Sequence, residues 1–242
     1  MREIDLHVHT TASDGTCTPA EVAALAQKIG LKAIAITDHD TESGYFEAAA
    51  AGEKLGIEVV PGIEISTKYG VAVHILGYFI DPQSPELRPV LDWVKTERDE
   101  RNEKIAAMFE RDGFDISLAQ LREEYPDSVL GRPHFCEHLM RKGYISSVKE
   151  GFEKYLGEGK PYYLPKRRIS IAKAVETIVA AGGVPVLAHG GLLRISEVEL
   201  NQWIDSMAKK GLMGLECYHN AHTPQMERLL RAAAERNGLL VT

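Results

Sequence analysis

The sequence of 242 residues predicts an α/β fold, a distorted (β/α)7-type barrel carrying a helical insert. Three observations lead there. Seven short apolar runs read as strands, and most are followed by helix-forming sequence. Polar residues recur at the ends of most of these strands, which is where parallel barrels gather their active sites and which favours a barrel over an open sheet. Between residues 81 and 165 the alternation gives way to charged helical sequence.

Taken in order, the first strand alternates: Ile4, Leu6 and Val8 fall on one face, and Asp5, His7 and His9 on the other. Thr18-Pro19-Ala20-Glu21 reads as a capping box with proline at the first helical position, and Gly30 stops the helix that follows. KAIAIT is a strand and residues 43–55 an Ala-rich helix. IEVVPGIEI and VAVHILGYF are strands. Later come VPVLAH, a helix near 197–209, MGLECY, a helix near 224–236, and GLLVT. Serial β and α elements imply a mainly parallel sheet. The barrel is therefore expected over residues 1–80 and 166–242, with 81–165 as a helical insert capping the site. The insert's helices are read in LDWVKTERDERNEKIAAMFERDG, SLAQLREEY, PHFCEHLMRKG and SVKEGFEKYLG.

Bulk properties narrow the function. Hydrophobic residues make up 44% and charged residues 26%, an ordinary balance for a globular chain. The net charge of -7 gives no global field for nucleic acid or membrane, so a polyanionic substrate has to be met locally, by metal ions or a few basic side chains. Cys17, Cys136 and Cys217 are too few and too scattered for a disulfide framework, which fits a reducing compartment. Cys136 and Cys217 are expected in the core and Cys17 in a loop. No long apolar run and no leader are read, so the expectation is a cytoplasmic chain without membrane contact. No stable protein partner is evident.

Five of the nine histidines, His7, His9, His39, His74 and His189, lie at or near predicted strand ends. Asp14, Asp38, Asp40 and Glu64 occupy similar positions. A single histidine at a strand end is usually structural, but this many on converging strands point to a metal centre. Imidazoles mixed with carboxylates suit Mn, Fe or Zn better than Mg or Ca. The metal-ligating candidates are His7, His9, Asp14, His39, Glu64, His74 and His189, enough for two or three ions. Asp5, Asp38 and Asp40 are read as supporting or capping groups, and His138 as a helix-surface residue.

DLHVHTTASDG, ITDHDT, PGIEIS, VHILGY and LAHGG, in this order, resemble the PHP superfamily, named for polymerase and histidinol phosphatase domains. ERNEK, LGRPHF and YLGEGKPYYLPK resemble its branch of nucleoside 3′,5′-bisphosphate phosphatases, which is linked to 5′-to-3′ trimming of short RNA. The resemblance implies a site of up to three Mn ions, with Zn or Fe as alternatives. His7, His9 and Glu64 would hold one ion, Asp14 and His39 a second, and Glu64, His74 and His189 a third. It also implies an Asp-x-His motif after GLLVT, beyond Thr242, and the sequence is read on that ground as a piece of a longer chain. The implied activity is phosphate ester hydrolysis by a metal-activated hydroxide on a nucleotide or short oligonucleotide. No catalytic side chain beyond the metal site is assigned.

Substrate contacts are expected from Arg101, Asn102, Arg132, His134 and His219, with His222 a weaker candidate. Lys166, Arg167 and Arg168 read as a surface run. Three other readings compete: a histidinol-phosphate-type phosphatase, which the insert disfavours; a metal-poor domain binding nucleic acid or a partner; and an amidohydrolase, disfavoured because Glu64 stands where a bridging lysine is wanted.

Overall fold

In the computed structural model, which describes residues 3–69, 71–165, 167–193 and 195–242, each βα unit follows the local signals of the sequence. β1 (Ile4–Val8) leads to α1 (Pro19–Ile29), where Thr18 and Glu21 form the reciprocal capping box and Gly30 ends the helix at φ 84°. β2 (Ala33–Ile36) is buried along its whole length and leads to α2 (Gly44–Leu55). β3 (Glu58–Tyr69) and β4 (Val71–Tyr78) are then separated by a single residue, Gly70.

That short connection explains the main departure from a parallel barrel. A parallel crossover needs a dozen or more residues, so β4 has to run back along β3. β4 pairs antiparallel with β3 on one side and with β6 (Val184–Leu187) on the other. The remaining neighbours are parallel: β1 with β2, β2 with β3, β6 with β7 (Gly214–Leu215), and β7 with β8 (Leu240–Val241). The short strand β5 (Ile169–Ser170) pairs with β3 off this path. The order β1-β2-β3-β4-β6-β7-β8 forms a curled half-barrel, open between β1 and β8 over a cavity of about 770 Å³.

Helices between these strands are α7 (Ile171–Ala180), α8 (Glu197–Ala208) and α9 (Pro224–Asn237). α7 was not anticipated, although Ser170 caps it and Ile171, Ala174, Val175 and Ile178 are buried at helical spacing. α7 and α8 pack a core of Ile63, Ile75, Ile178, Leu187 and Trp203 on one face of the sheet.

Between β4 and β5 the chain is mainly helical. α3 (Arg88–Arg111) is followed by α4 (Leu118–Glu124), α5 (Arg132–Arg141), α6 (Val148–Gly151) and a π-helical turn over Phe152–Leu156. These elements enclose their own core, with Phe109 stacked on Tyr162 at a ring separation of 3.8 Å. The insert is tied to the loop after β1. Val129 donates its backbone N–H to Ala12 O at 2.9 Å, and the Ser128 hydroxyl donates to Thr11 O.

One expectation is corrected within the insert. His138 is fully buried rather than on the helix surface; its Nδ1 lies 2.9 Å from Glu124 and its Nε2 2.8 Å from Asp115 O. The helical stripe that places it four residues from His134 faces the insert core, and a buried imidazole needs such partners. The cysteines lie as expected, Cys136 and Cys217 buried and Cys17 partly exposed. No helix among the described residues is long and apolar enough to cross a membrane.

Two outcomes follow from these cores. Phe109→Ala removes a fully buried ring, and should lower unfolding free energy by about 3–5 kcal/mol in a urea titration. Burial pushes the Cys136 thiol up to about 12 and the Cys217 thiol up to about 11, so both are almost wholly protonated at about pH 8. A thiol reagent should therefore modify no cysteine beyond Cys17 in the native protein, and all three after unfolding.

Candidate metal centre

Glu64 sits in the middle of the long strand β3, not after its end, and is 1% exposed. Its two carboxylate oxygens are surrounded by imidazoles from four other segments. Oε1 lies 3.0 Å from His74 Nδ1 and 2.9 Å from His189 Nε2. Oε2 lies 2.9 Å from His39 Nδ1, 3.2 Å from His9 Nε2 and 3.5 Å from His7 Nε2. Asp14 joins from the loop after β1, 3.2 Å from His9 Nδ1 and 3.8 Å from His39 Nε2. All seven residues read from the sequence as ligands thus converge on one place.

Side-chain alternation along β1 puts His7 and His9 on the same face, with their Nε2 atoms 3.1 Å apart. β4 aims His74 at Glu64 from the neighbouring antiparallel strand. His189 follows β6 with φ 30° and ψ 50°, in the left-handed region. A non-glycine residue there costs of order 1–3 kcal/mol and persists only when its surroundings hold it.

Two buried aspartates fix the loops. Asp38 accepts from Thr10 N at 2.7 Å, Thr10 Oγ1 at 2.7 Å and Ser13 Oγ at 2.5 Å, which locks the loop bearing Asp14. Gly44 packs so closely on this clamp that a Cβ would meet Asp38 Oδ2 and Thr10 Oγ1. Asp40 accepts from Ser66 N at 2.7 Å and Ser66 Oγ at 2.9 Å, and pairs with the buried Arg98 of α3. Asp5 lies away from the cluster, accepting from His7 N at 3.2 Å.

Carboxylates and imidazoles set each other's charge here. Burial alone would push Glu64 up, but the charges of His39 and His74 and the bonds to His189 and His39 outweigh it and hold the carboxyl well below its usual range. Burial would also push Asp14 up, but the hydrogen bond from His9 and the charges of His39, His9 and Arg98 together hold it low. Burial opposes charge on His7 and His9. Hydrogen bonds to Glu216 and Glu64 still push His7 up to about 9, and those to Asp14 and Glu64 push His9 up to about 10. Burial pushes His74 down to about 4 despite Glu64. Without a metal, protons on imidazoles balance the carboxylates. With one, the same nitrogens become ligands.

This donor set fits a metal centre. Three groups can each bring one atom to a common ion: His7, Glu64 and His189; His9, His39 and Glu64; and His7, Glu216 and His219. His189 Nδ1 is buried without a hydrogen-bond partner among the described residues. Glu216 was missed in the sequence. It follows β7 inside MGLECY, an acidic residue after an apolar run, as Glu64 is in the sequence IEVVPGIEI, and that sequence parallel was the available signal.

Beside the cluster lies a cavity of about 190 Å³, walled by Asp14, His39 and His74 on one side and by Arg98, Arg101, Arg132 and Arg168 on the other. Only Arg98 has a carboxylate partner among the described residues. Burial, then the charges of Arg98, Arg132 and Arg168, push Arg101 down to about 9. Arg132 donates to Leu156 O at 3.1 Å and lies over the rings of Phe152 and Tyr163.

The other substrate candidates divide. Arg101 and Arg132 line the cavity. Asn102 does not: it is fully buried, donating to Leu130 O at 3.0 Å and accepting from Arg101 at 2.8 Å. His134 is also off the cavity wall, because its Nδ1 caps the start of α5 by accepting from Gly131 N at 2.9 Å. His219 stands over the metal-type cluster, its ring 6.0 Å from His7 and 5.7 Å from His189. His222 uses both nitrogens on backbone, toward Cys217 O and Gly191 N. Arg168 is corrected from surface to cavity wall, whereas Arg167 pairs with Glu97 on the surface. Lys166 lies outside the described residues.

Residues 5–170 match the model of the PHP domain, and the chain belongs to that family. It is a hydrolase of the phosphoesterase class. It is 35% identical to a 3′,5′-nucleoside bisphosphate phosphatase of Chromobacterium violaceum, over 99% of this chain and 85% of that protein. It is 32% identical to the 5′-3′ exoribonuclease Rnm of Escherichia coli, over 97% of this chain and 81% of that protein. A crystal structure from Bifidobacterium adolescentis, named by inference a metal-dependent phosphoesterase, superimposes with a TM-score of 0.92 at 31% identity, covering 100% of this chain and 86% of that one.

Asp38→Ala leaves every candidate ligand in place but frees the loop that carries Asp14. Metal affinity should fall by about 10–100-fold in a calorimetric titration, with the fold retained by circular dichroism. Gly44→Ala should weaken binding in the same direction.

Proposed function

We propose that the chain is a metal-dependent phosphoesterase acting on nucleoside 3′,5′-bisphosphates, and on the 5′ end of short RNA as an extension of the same chemistry. One observation carries this reading: the cavity joins a histidine and carboxylate cluster to four arginine side chains, three of them without a carboxylate partner among the described residues. A substrate with one phosphate would be served by the cluster alone. A second anionic group is what the arginines fit, since guanidinium forks match phosphate oxygens.

In this reading His7, His9, Asp14, His39, Glu64, His74 and His189 hold up to three ions, preferably Mn, with Zn or Fe as alternatives. When bound, the ions supply an activated water and neutralise charge on the reacting phosphate. The chain's own residues do the rest. Glu64 presents one oxygen to His74 and His189 and the other to His7, His9 and His39, which suits a bridging carboxylate. Arg101, Arg132 and Arg168 bind and orient the second phosphate. The insert, residues 81–165, acts as the cap that brings most of these cations to the barrel. The relatives' names support the same substrate class.

The test is hydrolysis of adenosine 3′,5′-bisphosphate with Mn, beside histidinol phosphate and a 5′-phosphorylated RNA trimer. Turnover of the bisphosphate and its abolition by EDTA are expected. Arg101→Ala and Arg132→Ala should raise KM at least about tenfold, the loss expected for a charge-assisted bond of about 1.5–3 kcal/mol. Preference for histidinol phosphate, with KM unchanged in both variants, would overturn the assignment.

A further inference from the structure

The carboxylate of Glu216 is 4% exposed and touches two candidate ligands from different strands. Oε1 lies 2.9 Å from His7 Nδ1, and Oε2 accepts the backbone N–H of His189 at 2.6 Å. We infer that Glu216 is a positioning residue of the metal centre: it holds His7 as the tautomer with hydrogen on Nδ1 and holds the His189 backbone in its left-handed turn. The inference rests on the metal-centre reading but not on any substrate.

The argument starts from the ring of His7. A carboxylate oxygen accepts and does not donate, so the nitrogen facing Glu216 carries the hydrogen. Nε2 faces Glu64 Oε2 and His9 Nε2, the position a shared ion would take, and with an ion there the lone pair of the neutral ring is on Nε2. His189 presents the second requirement. Its φ of 30° is unfavourable for any side-chain-bearing residue, so its N–H must be held from outside. Glu216 supplies that acceptor with the oxygen His7 does not use.

The topology adds a reason why this contact matters. β1 and β8 are the two ends of the half-barrel, and among the described residues no backbone ladder joins them. Glu216 follows β7, so its bond to His7 links β7 to β1, two strands that share no ladder among the described residues. The two histidine ligands are thereby referred to one carboxylate.

The competing role is direct ligation, since Glu216, His7 and His219 can also approach a common ion. That arrangement needs the lone pair on His7 Nδ1, the opposite tautomer, so the two roles separate cleanly.

The test uses the intact chain, zinc as a diamagnetic probe, and nitrogen NMR of the histidines, with zinc affinity and stoichiometry from calorimetry. In wild type His7 should carry hydrogen on Nδ1 throughout, with Nε2 losing its hydrogen when zinc is added. Glu216→Gln offers an acceptor to only one of the two N–H groups, and zinc affinity should fall by about 10–100-fold at unchanged stoichiometry. Loss of a whole ion per chain, zinc on His7 Nδ1, or affinity within twofold of wild type would overturn the inference. If Glu216→Gln does not fold, the wild-type tautomer decides alone. A wild type that binds no zinc removes the metal-centre reading instead, and an Nδ1–H of His7 that is hydrogen-bonded in the zinc-free wild type and altered in Glu216→Gln still answers for Glu216.

Discussion

The site depends on one buried carboxylate that five imidazoles face at once. Glu64 cannot satisfy His7, His9, His39, His74 and His189 by hydrogen bonding alone, because a carboxylate has about four lone-pair positions for five rings. Like-charged imidazolium rings this close would also repel. Cations between the carboxylate and the rings resolve both problems, since each neutral imidazole then offers a lone pair to positive charge.

Much of the fold serves to hold that geometry. The β3–β4 pair places His74 beside Glu64 only because β4 turns back directly, and this antiparallel step is what distorts the barrel. Asp38 and Asp40 hold the loops after β1 and β2, and Asp40 also anchors Arg98 of the insert. The histidine and carboxylate cluster and the arginine wall are therefore linked through a buried ion pair. Such pairs contribute little net stability, and removing one partner strands the other charge, so their use here is positional.

Local chemistry written in short motifs was legible in the sequence. The capping box at Thr18, the alternation of β1 and the histidines after apolar runs all led to the observed elements. What was not legible depends on which way a side chain turns after folding. The run at 166–168 reads as uniform surface charge, yet Arg167 faces Glu97 outside while Arg168 faces the cavity. His134 and Asn102 have the residue types of substrate contacts, but the fold uses both for backbone hydrogen bonds inside the insert. Glu216 lies in a run that was read as a strand, but a lone acidic residue after an apolar run does not show which way its side chain turns.

The central claim is that the Glu64 cluster exists to bind cations. Anomalous diffraction from crystals soaked in zinc tests it most directly. The account predicts at least two peaks flanking the Glu64 carboxylate, each about 2.0–2.2 Å from an oxygen and from imidazole nitrogens of the facing histidines. Crystals with no peak at Glu64, and the histidines still hydrogen-bonded around the bare carboxylate, would contradict it.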